Sequence, residues 1–373
     1  MSGSARIPRW VDLLVIPALN LALAFLVCGL LILAIGENPL RALRVMIDGA
    51  FVYPGSLGYT LYYTTNFIFT GLAVAVAYQA RLFNIGGEGQ AAIGGAGVAI
   101  VCLAFDQVLP GPVTMILAIA AAALFGAAWA FLPGLLQATR GSHVVITTIM
   151  FNFIAAGLMV FLLSGPLMRP GQSTPQTRDF AEGATIPQWH EIAGWFGESV
   201  ARTPFNASLL LALLAAVGVW VLIYRTPFGY RLRTLGESEP AARYAGVSVP
   251  GTIIAAMTIS GALAGLMAVN AVLGGQDKLV LNFTGGFGFV GIAVALMGRA
   301  HPVGIVLASL LFGALYQGGA ELSFEFRTIN REMVLVVQGA IILFSGALRH
   351  MFDAPLARLF AKPEPAPSTA GAR

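Results

Sequence analysis

Long apolar runs recur along the whole chain, and they limit the possible folds more than any other feature of the sequence. A helix needs about 20 mostly apolar residues to cross the hydrocarbon of a bilayer. Ten runs are candidates, of which the eighth and ninth are short: 11–35, 57–80, 85–105, 113–136, 144–163, 207–224, 251–273, 287–297, 303–317 and 333–348. The sequence therefore predicts an all-α polytopic membrane protein with about ten (eight to ten) transmembrane helices.

The charge content supports a membrane protein rather than a soluble one. Charged residues make up 10% of the chain and hydrophobic residues 57%, whereas a soluble domain carries about 25% charged residues. The net charge of +4 is not concentrated in any basic run. We therefore expect membrane lipid, and no nucleic acid, as a partner.

The ends of the chain and its cysteines have ordinary interpretations. Arg6 and Arg9 precede the first apolar run as in a signal peptide, but the run is longer than the ~7–15 apolar residues of such a peptide. We therefore expect a retained helix. Cys28 and Cys102 both lie inside apolar runs, which favours packing roles over a disulfide or a metal site.

The distribution of Lys and Arg predicts a topology. With both termini in the cytoplasm, the inside segments collect thirteen basic residues and the outside segments eight, which is the expected direction of bias. Two transmembrane units of opposite orientation would result, as in many transporters. The predicted organisation is a cytoplasmic N-terminus (1–10), a first transmembrane helix with an outside loop (11–56), a first transmembrane unit (57–224) with an outside loop (165–206), a cytoplasmic coupling loop (225–250), a second transmembrane unit (251–350) and a partly disordered cytoplasmic tail (351–373).

The long outside loop carries an aromatic pattern. Trp189, Ile192, Trp195 and Phe196 share one face if this stretch is helical. Such a pattern is typical of a short helix at the membrane surface. An ordinary loop with aromatic anchors is the alternative.

The segment RLFNIGGEGQAAIGG (81–95) interrupts the apolar pattern with Asn84, Glu88 and Gln90 among glycines. Clustered glycines break a helix and allow close approach of another group. A carboxylate at membrane depth is costly and usually functional. We expect a discontinuous helix that exposes these three side chains to a central pathway, with a plain cytoplasmic turn as the alternative.

Two further stretches offer polar or aromatic groups inside apolar runs. The segment LNFTGGFGFVGIA (281–293) is again rich in glycine, and Asn282, Phe283 and Phe287 could hydrogen-bond and stack with a substrate. Asn152 lies in the fifth run, after Thr147 and Thr148. Helix–helix packing is the alternative for both stretches.

The inside loop TLGESEPAARYAG (234–246) contains the signals of a short helix. Ser238 is a plausible N-cap, Glu239 and Pro240 suit a first turn, and Gly246 suits the C-terminal cap. The spacing predicts about two turns. A rigid cytoplasmic helix between spans could receive force from a partner, or it could be a solvated connector.

The sequence lacks the usual machinery for using ATP. Its two lysines, Lys278 and Lys362, do not lie in a GxxxxGK[ST] motif, so a P-loop ATPase is excluded. Energy for any transport must therefore come from elsewhere, and we expect no enzymatic activity and no cofactor in this chain.

Four segments together resemble the branched-chain-type permease family of bacterial ABC importers, and most closely its nucleoside and simple-sugar branch. The resemblance covers roughly 56–346. The matching segments are LFNIGGEGQ (82–90), GESEPAARYAGVSVP (236–250), SGALAGLMA (260–268) and GFVGIAVALMGRAHPVGI (288–305).

The resemblance implies partners and site residues. The implied partners are two ATPase domains, a second permease, an extracytoplasmic substrate-binding protein and a small-molecule substrate, at the bacterial inner membrane. In this branch the second permease is often a different chain, and a second copy of this chain is the alternative. Together with the patterns above, the predicted substrate pathway contains Asn84, Glu88, Gln90, Asn152, Asn282, Phe283 and Phe287. The predicted ATPase contact contains Glu237, Ser238, Glu239, Ala242, Arg243, Tyr244 and Gly246.

The chain departs from the family pattern at two positions. Val144 stands where members usually carry a glutamate, and Asn66 stands where a proline is common. The first departure weakens any transfer of function to the start of the fifth run. The second predicts a different local geometry in the second run.

Nucleosides are the expected substrates, and ribose or hexose is the alternative. An ion-coupled secondary transporter is a more distant alternative, because no paired carboxylates lie in the apolar runs. A non-transporting scaffold is disfavoured by the glycine-rich interruptions.

Overall fold

A computed structural model describes residues 15–181, 183–326, 328–329 and 331–343, and these residues fold almost entirely into helices. The N-terminal segment 1–10 and the tail 351–373 lie outside the described residues, as do the start of the first predicted run and the end of the tenth. Within the described ranges the only β pairing is two isolated bridges, Gln176–Val280 and Gln188–Asn206. The helices are α1 (Ile16–Ala34), α2 (Pro39–Phe51), α3 (Ser56–Gln79), α4 (Gly87–Phe105), α5 (Gly111–Arg140), α6 (Val144–Ser164), α7 (Trp189–Trp195), α8 (Ser208–Arg225), α9 (Pro227–Glu237), α10 (Glu239–Tyr244), α11 (Val249–Ala268) with a π-helical extension (Val269–Gln276), α12 (Phe287–Met297), α13 (Pro302–Glu325) and α14 (Arg331–Ile342).

The predicted class, an all-α polytopic membrane protein, is confirmed. In the described part of the chain, seven helices are long and apolar enough to cross a membrane, and α1 with α2 forms an eighth if that pair, bent by 119°, counts as one span. Each of the ten predicted runs coincides with a helix. The ninth run is longer than predicted, because α13 continues past Gln317 to Glu325, where polar side chains end the apolar pattern without ending the helix.

The described residues divide into two compact units, one from within 1–44 and 322–373 and the other from within 45–321. In the first unit, the Cys28 thiol lies 3.6 Å from the carbonyl oxygen of Val337, which joins α1 to α14. Arg41 forms an ion pair of 2.7 Å with Glu325, and its guanidinium lies 5.0 Å from the centre of the Phe326 ring.

Helix α2 was not predicted from the sequence, which indicated an outside loop at this position. It is amphipathic: Val45 and Met46 are buried, whereas Ile47 and Phe51 are exposed. The side-chain oxygen of Asn38 accepts from the backbone N–H of Leu40 at 2.9 Å and so caps the first turn. Charged residues within α2 interrupt the apolar run, so hydropathy alone gave no sign of this helix.

Small residues set the closest packing in the second unit. A Cβ added to Gly265 of α11 would lie 2.2 Å from the carbonyl oxygen of Ala122 on α5, and one added to Gly126 would lie 2.3 Å from that of Gly261. The backbones of α5 and α11 therefore touch, and the small residues Gly261 and Gly265, four positions apart on one helix face, allow this close approach. Helix α3 is the most enclosed span: 89% of its apolar window is buried, against 22% for α6.

The predicted outside loop is hydrogen-bonded to residues 273–279, in the π-helical extension of α11 and just after it. Backbone N–H groups of Thr177, Phe180 and Ile186 donate to carbonyl oxygens of 279, 277 and 273 at 2.8–3.0 Å. The Arg178 guanidinium donates to both carboxylate oxygens of buried Asp106 at 2.7 Å.

The predicted aromatic helix of this loop is present as α7. Glu191 and Gln188 form a capping box at its start. Trp195 and Phe196 are largely exposed, at 71% and 81%. That α7 lies at a membrane surface stays a prediction.

Candidate functional site

Residues 80–86, for which the sequence predicted a discontinuous helix or a plain turn, form a non-helical connection between α3 and α4. Helix α3 ends at Gln79 and α4 begins at Gly87, and residues 80–86 are not helical. Arg81 has a φ of +57°, in the left-handed region that non-glycine residues rarely adopt. The backbone between the two helices is therefore held by tertiary contacts rather than by helical hydrogen bonds.

Asn84 provides most of those contacts. Its side-chain nitrogen donates to the hydroxyl of Ser260 at 2.8 Å and to the side-chain oxygen of Gln90 at 3.0 Å, and its oxygen accepts from the backbone N–H of Gly86 at 2.9 Å. Ser260 in turn donates to the carbonyl oxygen of Ala73 at 2.6 Å. Asn84 and Gln90 are each 1% exposed. They hold the break together and are turned away from any open space.

Asn152 of α6 holds the same break from the other side. Its amide nitrogen donates to the carbonyl oxygen of Ile85 at 2.9 Å, and its oxygen accepts from the N–H of Gly89 at 2.9 Å. The hydroxyl of Thr148 accepts from the N–H of Ile85 at 3.3 Å. The polar residues of α6 thus satisfy backbone groups that the interrupted helix leaves unpaired.

Glu88 joins two helix N-termini. It lies in the first turn of α4, and its two carboxylate oxygens accept from the backbone N–H groups of Gly286 and Gly288, at 2.9 and 2.8 Å. Helix α12 begins at Phe287, so the carboxylate offsets the partial positive charge of its N-terminus. A Cβ on Gly288 would lie 2.2 Å from the backbone nitrogen of Glu88. The two glycine-rich segments, 81–95 and 281–293, are therefore in direct contact.

A cavity of about 90 Å³ opens beside this junction. Four of the predicted pathway residues line it: Glu88, Asn152, Asn282 and Phe283. Its volume is well below the ~300 Å³ at which ligand pockets usually begin. This cavity, in the conformation described, is therefore too small to enclose a metabolite-sized ligand.

Asn282 and Phe283 occupy the loop before α12 in different ways. Asn282 is exposed and has a φ of +59°. Phe283 is buried against α4, where a Cβ on Gly95 would lie 2.4 Å from its ring. The ring fills the space that the glycine leaves.

Phe287 lies in an aromatic cluster rather than at the cavity. Its ring centre is 5.5 Å from that of Phe67, 5.8 Å from that of Tyr63 and 5.8 Å from that of Tyr316, mostly edge-to-face. Such geometry is favourable packing for aromatic rings. The rings of Tyr63 and Tyr316 are half-buried, and their place beside α12 was not predicted from the sequence.

A second buried polar network was also missed. Asn270, in the π-helical segment, donates to the side-chain oxygen of Asn66 at 2.9 Å and accepts from Asn206 and Ser208 at 2.9 Å each. Asn66 is the departure from the family's proline, and α3 runs through it without a break. Asn270 is an isolated amide within the seventh apolar run, and this was the sequence feature that could have indicated the network.

The short helix predicted within 234–246 is present as α10, and a second helix, α9, precedes it; that they lie in the cytoplasm stays a prediction. The hydroxyl of Ser238 accepts from the N–H of Ala241 at 3.4 Å at the start of α10, and Gly246 has a φ of +75° just after its end. Helix α9 was not predicted; Thr226 caps it in the same way. Three caps in succession, at Thr226, Ser238 and Ser248, make this segment a rigid series of turns.

The predicted ATPase-contact residues divide into an outer and an inner set. Arg243 pairs with Glu239 at 2.6 Å on the exposed face, and Tyr244 is 97% exposed; Glu237 is exposed as well. Ala242 is fully buried. Its neighbours in the core include Ala77, Leu82, Val144, Leu232, Leu235 and Met257.

One contact links this segment to the break at 80–86. The Arg81 guanidinium donates to the carbonyl oxygen of Gly236 at 3.1 Å. A Cβ on Gly236 would lie 2.1 Å from the carbonyl oxygen of Gln79. The end of α9 therefore rests directly on the end of α3, next to the residues that Asn84 anchors.

Known proteins share this arrangement of segments. Residues 56–346 match the family described as branched-chain amino acid transport system / permease component. The chain belongs to this family. As a member of the permease family with several membrane-spanning helices, it is a multi-pass transport permease.

Relatives of this permease carry names of ABC transporter permeases. The guanosine permease of Bacillus subtilis is 35% identical over 89% of this chain and 92% of its own. The nucleoside permease of Lactococcus lactis is 32% identical over 88% and 89%. The glucose permease of Haloferax volcanii is 32% identical over 88% and 86%. A second permease protein from each of these organisms matches at 27–28% identity over 68–70% of this chain and 75–78% of its own.

Proposed function

We propose that this permease imports nucleosides across the bacterial inner membrane, driven by ATP hydrolysis in separate subunits. The observation that carries the proposal is the 35% identity to a guanosine permease over 89% of the chain. The nucleoside permease of Lactococcus lactis supports it.

The proposed route passes the junction of α4 and α12. Glu88, Asn152, Asn282 and Phe283 would meet the substrate there, because they line one cavity. Asn84 and Gln90 would stabilise the non-helical connection 80–86. Phe287 would stabilise the position of α12 through its aromatic cluster. The route must widen or be completed by a second permease, because 90 Å³ is too small for a nucleoside.

The proposed ATPase contact is the outer face of α10. The ATPase would contact Glu237, Glu239, Arg243 and Tyr244. Ser238 and Gly246 cap the two ends of α10, and Ala242 packs it against the core. Motion would reach the pathway through the shared core and the Arg81–Gly236 contact. A rigid, well-capped element transmits displacement better than a flexible loop.

The proposed assembly contains two ATPase domains, an extracytoplasmic binding protein and a second, different permease chain. The pairs of permease relatives found in three organisms favour a heterodimer, with this chain in place of the member that matches more closely. Both termini would be cytoplasmic.

Sugar import is the second candidate, and the glucose permease relative favours it. The decisive experiment measures uptake of labelled guanosine and labelled glucose in cells with the gene deleted and then restored. Restored guanosine uptake alone supports the proposal, and restored glucose uptake alone replaces it with sugar import. Uptake that survives loss of the partner ATPase would overturn ATP coupling.

A further inference from the structure

An apolar groove runs along the surface between α8 and α13. Its volume is about 360 Å³, and it is lined on one side by Leu213, Val217 and Trp220 and on the other by Val303, Val306 and Leu307. Val217 and Leu307 are 59% and 65% exposed. The groove lies between two helices that are long and apolar enough to cross a membrane, so the group that fills it must be apolar.

One end of the groove carries positive charge. The Arg225 guanidinium lies 5.2 Å from the centre of the Trp220 ring, and the Arg233 guanidinium lies 5.4 Å from that of Tyr224. The Tyr224 ring is in turn 5.4 Å from the ring of His301, next to the start of α13. The mouth of the groove is thus framed by three aromatic rings and two guanidinium groups.

These two guanidinium groups are available to an anion. Among the described residues, no ion pair involves Arg225 or Arg233, whereas Arg41, Arg178 and Arg243 all pair with carboxylates. Arginine binds phosphate oxygens through paired N–H groups and can stay stacked on an aromatic ring while doing so. Basic sites between helices at a membrane surface are a recognised setting for anionic headgroups.

The apolar groove and the two guanidinium groups near one end of it match the acyl chain and the headgroup of a phospholipid. From Leu213 to Trp220 the groove follows α8 for ~10 Å at the usual helical rise, which is enough for part of an acyl chain. Arg225 is the last residue of α8, little more than one turn beyond Trp220, and Arg233 follows on α9. An apolar helix of a partner would fill the groove but would leave two cations at its mouth without counter-charge.

We propose that this groove binds an anionic phospholipid, with an acyl chain between α8 and α13 and the phosphate between Arg225 and Arg233. The lipid would then contact α8, α13 and α9 at once, because Arg233 lies within α9. It would fix the position of α9, which leads into α10. Binding itself does not depend on which substrate the permease carries.

The test uses the purified full-length permease, delipidated in detergent and titrated separately with dioleoylphosphatidylglycerol and dioleoylphosphatidylcholine, with bound lipid counted by native mass spectrometry. We expect phosphatidylglycerol to bind at least fivefold more tightly than phosphatidylcholine. The double variant Arg225→Gln/Arg233→Gln should remove that preference. Ala216→Phe, which fills the groove floor, should weaken both lipids at least fivefold.

The matched control is Arg231→Gln, an exposed arginine of the same helix α9, which should bind as wild type. Equal binding of the two lipids, no binding of either, or an equal loss in the control would overturn the proposal. A photo-reactive residue introduced at Val217 in the assembled importer shows by crosslinking whether a lipid or a protein occupies the groove. Crosslinking to phospholipid supports the proposal, and crosslinking to a protein chain replaces it.

Discussion

At the scale of single residues, Glu88 links the two glycine-rich segments of the candidate site. Its carboxylate accepts from two backbone N–H groups of α12 while it lies in the first turn of α4. A glutamine at this position keeps one acceptor oxygen and loses the charge. An alanine leaves both N–H groups without this partner, at ~1–3 kcal/mol for a buried group.

We therefore predict that Glu88→Gln lowers transport while membrane insertion and assembly persist. Glu88→Ala should lower the thermal unfolding midpoint as well, because α12 loses its anchor. Uptake kinetics and thermal unfolding in detergent measure the two effects. Glu198→Gln, at an exposed position in the predicted outside loop, is the control, and unchanged kinetics of Glu88→Gln across substrates would contradict a pathway role.

A second residue-scale prediction concerns the ion pair of Asp106 and Arg178. Hydrogen bonds from Arg178 hold the pKa of the Asp106 carboxyl below its usual range. A carboxyl with a lowered pKa in the folded state stabilises that state above its unfolded pKa of ~3.9, and the contribution is lost as the pH falls through the folded pKa. This contribution should be constant from neutral pH down to about 5 and fall below about 4.

Arg178→Met should destabilise the fold by ~1–3 kcal/mol, since it leaves a buried carboxylate without its main partner. Asp106→Asn should remove part of the acid-induced loss of stability. Thermal unfolding followed from pH 3 to 7 measures both. Arg169→Gln is the control, because its ion pair with Asp179, at 3.6 Å, is exposed and worth little; an equal loss there would refute the assignment.

At the scale of elements, α9 and α10 combine a buried underside with an exposed outer face. Leu232, Leu235 and Ala242 lie in the core with the end of α3 and the start of α11. Gly236 lets the two backbones touch. The segment is therefore placed to move with the break at 80–86, and its two faces can be tested separately.

Gly236→Ala should reduce coupling, because its Cβ would lie 2.1 Å from the carbonyl oxygen of Gln79 and force α9 away from α3. We expect uptake to fall several-fold while ATP hydrolysis by the assembled importer continues. Gly218→Ala is the matched control, since open space surrounds that position on α8. Uptake and hydrolysis falling in equal proportion would argue against a transmission role.

Tyr244→Ala tests the outer face of α10. The side chain is 97% exposed, so its loss should leave the unfolding midpoint unchanged. Co-purification of the ATPase subunits should decrease if Tyr244 is a contact residue. Full retention of the ATPase at low protein concentration would remove Tyr244 from the proposed interface.

At the scale of the whole molecule, the predicted orientation assigns α10 to the cytoplasm and the loop carrying α7 to the outside. Single cysteines at Tyr244 and Glu198 report on this, because the two native cysteines are buried. A membrane-impermeant maleimide should label Glu198→Cys in intact cells and Tyr244→Cys only after permeabilisation. The reverse pattern would invert the proposed topology.

The sequence by itself determined the features that depend on neighbouring residues. The apolar runs became helices because their length and composition fit no solvent but lipid. Helix α10 formed where Ser238 and Gly246 place its caps. Helix α2 and the end of α13 escaped prediction because charged and polar residues interrupt their hydropathy without interrupting their helical backbone.

Tertiary structure alone decided which polar groups meet. Asn84 bonds to Ser260 across 176 positions, Glu88 to Gly286 across 198, and Arg81 to Gly236 across 155. The sequence identified Asn84 and Glu88 as costly groups within an apolar region, but it could not tell a side chain that lines a cavity from one that anchors a broken helix. That distinction depends on hydrogen-bond partners supplied by distant helices, and only the packing of those helices brings the partners within reach.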